Sequence, residues 1–362
     1  MRLWLAWLHR WTGGLAGLLL AVLALSGTVL VWEEAWIGVP GAGDPLRVDA
    51  AATGEAVEAA LAVDPALSRI TFADEGMGLH QAIYKDGGGA YLTQAGQVVD
   101  RWDSLWGRPE LWLFDLHHYL FMGETGEIVT GVLGLLLLAF AITGLILWWR
   151  TRRKFQFRLW PAEMTKSAII RQHRDIGAVA SPLLIMTALT GSFMIFPGLS
   201  NALLSPWAST AEVAPAPTGT GPVGPATDWR AVMASAQRAF PEALPRRLMM
   251  PKEPGAPIVL RMRQDFEWTP NGRTYVYLDP ATARVLAVDD PAAGNTASAI
   301  QEKYYPVHAG KVGGVLWRLM LTFSGLSLFL LGTLATWSFW FPKAAKRKKA
   351  RRSPPPLAQP AE

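Results

Sequence analysis

Four stretches of the chain stay apolar for so long that no face of a helix built from them would be polar. They run from about Trp11 to Trp32, Ile128 to Trp149, Ile176 to Pro197 and Val315 to Phe341. About 20 such residues in helical form cross the hydrocarbon core of a bilayer, whereas a soluble helix keeps a polar stripe. The pattern predicts four membrane helices. Between the first and second, and between the third and fourth, the period changes. Thr53 to Leu61 reads as a helix, and Arg69 to Ala73, Leu79 to Tyr84 and Ala90 to Leu92 as strands, with Asp86-Gly87-Gly88-Gly89 as a hairpin turn. The later interval repeats the plan. There Asp228 to Phe240 reads as a helix, and Arg247 to Met250, Ile258 to Arg263, Arg273 to Leu278 and Arg284 to Val288 as strands.

The predicted architecture is therefore an α-helical membrane bundle of four spans with α+β domains outside the bilayer, made by duplicating a helix–domain–helix unit. Its parts are spans at 1–32, 128–149, 176–197 and 313–341, small domains at 33–127 and 198–312, a loop at 150–175 and a tail at 342–362. A composition of 51% hydrophobic residues with 17 tryptophans is too apolar for an ordinary soluble domain and agrees with this. Residues 150–174 hold eight lysines and arginines against one acid, Glu163, and the segment after Phe341 holds seven against Glu362. By the positive-inside rule both face the cytoplasm, as do Arg2, Arg10 and the N-terminus. The net charge of +5 then reflects topology, and nucleic acid is not an expected partner. The basic tail is suited to anionic lipid, and its proline-rich end reads as disordered. Ala24-Leu25-Ser26-Gly27 resembles a signal-peptide cleavage site, but the apolar run continues to Trp32 and the motif recurs mid-chain as Ala188-Leu189-Thr190-Gly191.

Polar residues that interrupt this pattern carry the candidate chemistry. His9 precedes Gly27 by 18 residues, and His173 precedes Gly191 by 18. His117 precedes Gly123 by six and Trp149 by 32, and His308 stands at the same distances from Gly314 and Trp340. In a duplicated bundle, His9 should oppose His173 and His117 should oppose His308. Two histidines on opposite faces of a flat ring fill the axial positions of haem iron, a ligand set suited to electron transfer, so two haems are expected, one per membrane face. Nearby glycines (Gly13, Gly17, Gly177, Gly123, Gly126, Gly310, Gly313 and Gly314) would let the backbone approach a porphyrin. His118 has Ala309 opposite it in the repeat, which favours His117 as the ligand. His80 has no counterpart in the second half. With no cysteine, thiolate ligation and covalent haem attachment are excluded. Two histidines per site do not complete a zinc site. Arg10 and Arg174 follow the first and third histidines, as partners for haem propionates or as plain inside-face anchors. The segment from Trp102 to Trp112 groups Trp106 and Arg108 with other aromatic and basic residues, as a docking patch for a flat anionic chelate or as an interfacial belt.

Taken together, Leu8-His9-Arg10-Trp11, Leu116-His117-His118-Tyr119-Leu120-Phe121-Met122-Gly123, Gln172-His173-Arg174 and Val307-His308-Ala309-Gly310 resemble the PepSY-associated transmembrane protein family over about residues 1 to 342. Gln172 stands where that family usually has leucine, and the second small domain diverges. The resemblance implies PepSY-like domains, two b-type haems, a bacterial inner-membrane location and reduction of a ferric siderophore on the far side of the membrane. The chain offers no dinucleotide fingerprint after a strand, so the donor is expected to be a quinol or a partner reductase. The rival expectation is a non-enzymatic anchor whose PepSY-like domains restrain a peptidase or another envelope protein.

Overall fold

The computed structural model describes residues 2–47, 49–208, 217–218, 221–224 and 226–341. The expected basic tail at 342–362 lies outside the described residues. In chain order the helices are α1 (Arg2–Leu30), α2 (Glu33–Trp36), α3 (Ala50–Val63), α4 (Pro109–Tyr119), α5 (Gly123–Trp149), α6 (Lys166–Ile195), α7 (Pro197–Leu204), α8 (Trp229–Ala239), α9 (Thr296–Gln301), α10 (Tyr304–His308) and α11 (Gly314–Trp340). The strands are β1 (Leu67–Thr71), β2 (His80–Tyr84), β3 (Gly89–Leu92), β4 (Val98–Trp102), β5 (Leu244–Met249), β6 (Ile258–Arg263), β7 (Thr274–Leu278) and β8 (Val285–Asp289). They divide into a helical unit built on α1, α5, α6 and α11, and a sheet unit built on the eight strands.

The four helices of the helical unit are long and apolar enough to cross a membrane. At 27 to 30 residues each they measure about 40 to 45 Å, more than a hydrocarbon core of about 30 Å. Two begin earlier than expected. α5 starts at Gly123 rather than at Ile128, and α6 at Lys166 rather than Ile176, so His173 lies two turns inside a helix and not at its end. The added turns are polar, and hydropathy alone does not read them as helix. Close approach comes from small residues, as expected where lipid offers no hydrophobic contrast between helices. A Cβ on Gly17 of α1 would stand 2.8 Å from Thr336 Oγ1 and 3.0 Å from the Gly332 carbonyl oxygen of α11. Across α5 and α6, Ser192 Oγ donates to the Gly131 carbonyl at 3.3 Å. Leu20, Leu133, Leu137, Ile176, Leu184 and Leu331 fill the space between.

The two intervals, expected as two separate domains, build one antiparallel sheet in the order β4-β3-β2-β1-β5-β6-β7-β8. Each half alone would leave an edge strand unpaired, and β1 against β5 removes both edges. Outward from that seam the halves match strand for strand. Because side chains alternate across a sheet, neighbouring rungs have opposite character. One rung reads Ala90, Ala82, Ile70, Leu248, Leu260, Val276 from β3 to β7. All six are fully buried, beneath α3 and α8, in a core shared by both halves. The next rung reads Asp100, Tyr91, Gln81, Thr71, Arg247, Arg261, Tyr275, Asp289 from β4 to β8. The covering helices also correspond. Each has an aspartate N-cap, Asp49 accepting from Ala51 N–H and Asp228 from Ala231 N–H, which satisfies one of the free donors of a first turn.

Candidate functional site

Three helices bring the first histidine pair together. His9 of α1 and His173 of α6 face each other with ring centroids 6.2 Å apart and planes at 90°. Phe140 of α5 packs edge-on against His9 at 5.4 Å. Thr143, one turn along α5, sets the imidazole's proton. Its hydroxyl donates to the Ala139 carbonyl at 2.7 Å, so toward His9 Nδ1, 2.8 Å away, the oxygen accepts. With the hydroxyl so directed, Nδ1 is the donor and Nε2 keeps its lone pair. His117 near the end of α4 is held in the same way. Ser26 Oγ donates to the carbonyls of Val22 and Leu23, and His117 Nδ1 donates to the Leu23 carbonyl at 3.0 Å and to Ser26 Oγ at 3.1 Å. The ring lies on Gly27, where a Cβ would come within 2.7 Å of its Cε1.

Whether these residues suit a haem is a question of ligand chemistry and space. Bonds of about 2 Å from two imidazole nitrogens to one metal, plus the rings' own width, place ring centroids about 6 Å apart. The spacing of His9 and His173 agrees with that. Nδ1–H bonded to an oxygen with Nε2 left as ligand is the usual arrangement of a metal-binding histidine. One turn beyond each histidine stands a glycine, Gly13 on α1 and Gly177 on α6, and a Cβ on either would meet nothing within 4 Å. A flat group between the two histidines finds no side chain at those places. Among the described residues no three His, Cys, Asp or Glu side chains gather to hold a bare metal ion. Two imidazoles, His9 and His173, would suit a group that brings further donors of its own, as a haem would.

The other residues singled out in the sequence have varied surroundings. His308 ends α10 in the sheet unit, whereas His117 belongs to the helical unit. His118 gives its carbonyl to Thr130 Oγ1 and its ring meets Tyr119 edge-on. His80 is buried, and its Nδ1 accepts from Ala73 N–H at 2.9 Å, a core role. Two glycines expected beside a porphyrin serve other ends. Gly17 makes the helix contact described above, and a Cβ on Gly126 would strike the Tyr119 carbonyl. Arg10 is exposed, 5.8 Å above the Phe339 ring. Arg174 is tied to Asp175 at 2.6 Å and to the Lys154 carbonyl at 3.0 Å. Trp106 is 64% exposed. Arg108 is committed elsewhere, bonding Asp100 at 2.6 Å and buried Glu110 at 2.7 Å over the ring of Tyr91. Separating it from Glu110 would leave a buried carboxylate without its cation.

Several contributors are absent from the sequence reading. Ser26 lay within a motif noted for its repetition, and its counterpart Thr190 was the available signal. Thr143 and Asp175 gave none. Asp175 is fully buried and ion-paired with both Arg158 and Arg174, which fastens the segment after α5 to α6. Gln172, the departure before the third histidine, adds to that fastening by donating to the Leu159 carbonyl at 3.1 Å.

Four apolar helices of membrane length, with an antiparallel α+β unit built from the intervals between them, define a multi-span membrane protein. The model of the PepSY-associated TM region matches residues 6–342, and the chain belongs to that family. No curated protein matches it.

Proposed function

We propose that this chain is a haem-bearing electron conduit of the bacterial inner membrane, with both termini cytoplasmic and arisen by duplication. It takes electrons from a quinol or a partner reductase and passes them to a ferric siderophore on the opposite side. The observation that carries the reading is the facing pair His9 and His173, with His9 anchored at Nδ1 by Thr143 and a bare glycine one turn beyond each. When bound, a haem with two imidazole ligands supplies one-electron transfer without an open coordination position. The chain's own part is to orient the His9 imidazole through Thr143, hold the helices at ligand spacing and keep the surroundings apolar. His117, held by Ser26 and Leu23, has the same preparation, and its pairing with His308 rests on the sequence spacing alone. Reduction of the ferric ion to ferrous weakens its hold on hard oxygen donors and releases the metal.

Protein purified from haem-replete cells is expected to be red, with a low-spin band that shifts on dithionite and about two haems per chain by pyridine-haem assay. His9→Ala and His173→Ala should each remove one haem and leave the other. Thr143→Val should loosen the same haem about tenfold or more, since it removes the Nδ1 partner while keeping the shape. Colourless protein would overturn the reading in favour of a membrane anchor for a regulatory PepSY-type unit.

A further inference from the structure

Arg247 and Arg261 are directly opposite each other on β5 and β6. Side chains so placed have Cβ atoms about 5 Å apart, and like charges there cost stability. Among the described residues neither arginine forms an ion pair. Arg247 Nε donates to Thr71 Oγ1 at 3.1 Å. Arg261 gives one terminal nitrogen to the Gly272 carbonyl, while its Nε is buried with no hydrogen-bond partner. Burial, with Arg69 and Arg261 adding their repulsion, lowers the Arg247 pKa from its usual value to about 10. Glu267 acts on Arg261, but its carboxylate already accepts from Gln264 N–H, Arg273 N–H and Thr274 Oγ1.

The fold does not need these charges. Counted outward from the seam, β5 corresponds to β1 and β6 to β2, and the matching rung positions in the first half hold Thr71 and Gln81. There Gln81 donates to Tyr91, Tyr91 donates to Glu110, and Arg108 lies over Tyr91 between two carboxylates, so every charge has its counterion. The second half keeps the tyrosine, with Arg261 5.3 Å over the Tyr275 ring, and keeps Asp289 where the first has Asp100, but among the described residues no ion pair joins Arg261 to it. Tyr305 interacts electrostatically with both arginines and belongs to α10, the short helix that ends in His308.

We propose that Arg247 and Arg261, flanked by Tyr275 and Tyr305, form an anion site on the face of the sheet opposite α3 and α8, and that its ligand is the carboxylate arms of a multiply charged metal chelate. This deepens the reading above and rests on it for the identity of the ligand. The acceptor then docks beside the helix that carries His308, and not at Trp106 and Arg108. Paired guanidinium groups grip carboxylates in two-point fashion, and the two tyrosines offer a rim for a flat ligand.

Gallium(III) citrate, which resembles a ferric chelate but accepts no electron, tests the site by titration calorimetry on the full-length protein in detergent. Wild type should bind it, more weakly in high salt. Arg247→Gln or Arg261→Gln should weaken binding at least about tenfold. The double variant Arg247→Thr with Arg261→Gln, which installs the first-half residues, should abolish binding while melting no lower than wild type without ligand. Arg284→Gln, an exposed arginine outside the rung, should change nothing. Wild-type affinity in the double variant would overturn the proposal. So would inorganic phosphate binding as tightly as the chelate, or vesicles of anionic phosphatidylglycerol, but not of phosphatidylcholine, displacing it from these arginines. The haem spectra report separately on the conduit, since gallium binding requires no electron transfer.

Discussion

A single side chain can make the sheet unit sensitive to acid. His80 is buried with Nδ1 accepting from Ala73 N–H, and burial lowers its pKa from 6.5 to about 4. The unfolded chain takes up this proton near pH 6.5, the folded chain only near 4. Stability is therefore full above pH 6.5 and declines as the pH falls toward 4, by about 3 kcal/mol at most. Chemical denaturation at pH 7 and pH 4.5 should show that decline in wild type and a flatter one in His80→Gln. Equal declines would mean that other groups carry the sensitivity. At this scale the sequence was informative where a polar residue broke an apolar pattern, as His9 and His173 do. It was silent on Thr143 and Asp175, whose roles depend on which way α5 and α6 turn their faces. It was silent too on the ion pairs of Arg108, because proximity to tryptophans in sequence says nothing of the two carboxylates that reach it in space.

Glycines divide into two kinds once the helices are assembled. Gly17 closes α1 onto α11, whereas Gly177 faces open space one turn beyond His173. Gly17→Leu should therefore lower the melting point of the helical unit, at a cost of about 1–3 kcal/mol, as overpacking does. Gly177→Leu should leave the melting point unchanged and reduce haem per chain. Circular dichroism melts with haem assays would show both effects, and equal melting losses in the two variants would refute the distinction. Elements with clean periodicity were legible: Ile258 to Arg263 was read with its observed ends, and α3 and α8 within a few residues. β4 was not, since Val98-Val99-Asp100-Arg101-Trp102 lacks alternation. The first turns of α6 were not, since their polarity resembles a loop until Asp175 is seen buried between two arginines.

For the whole molecule, the histidine spacing led to an expectation of two separate small domains and gave no hint that the two intervals join in one sheet. Strand pairing between distant segments leaves no local trace, and the β1 to β5 seam contains only alternation common to all strands. Because both halves fill one core, they should lose structure together. Leu248→Asp, placing a charge at a fully buried seam position, should cost about 3 kcal/mol or more. Hydrogen exchange should then accelerate in β2 and β3 as well as in β6 and β7. Acceleration confined to the second half would mean that the halves are stable alone. The same seam imposes a delay on a newly made chain. Thr71 and its partner Arg247 are separated by 176 positions, so at a ribosomal pace of about 5–20 residues per second the edge of β1 waits roughly 10 to 35 seconds for β5. Two further membrane helices must be synthesised meanwhile, and throughout that interval the half-built sheet presents a bare strand edge to any other nascent copy.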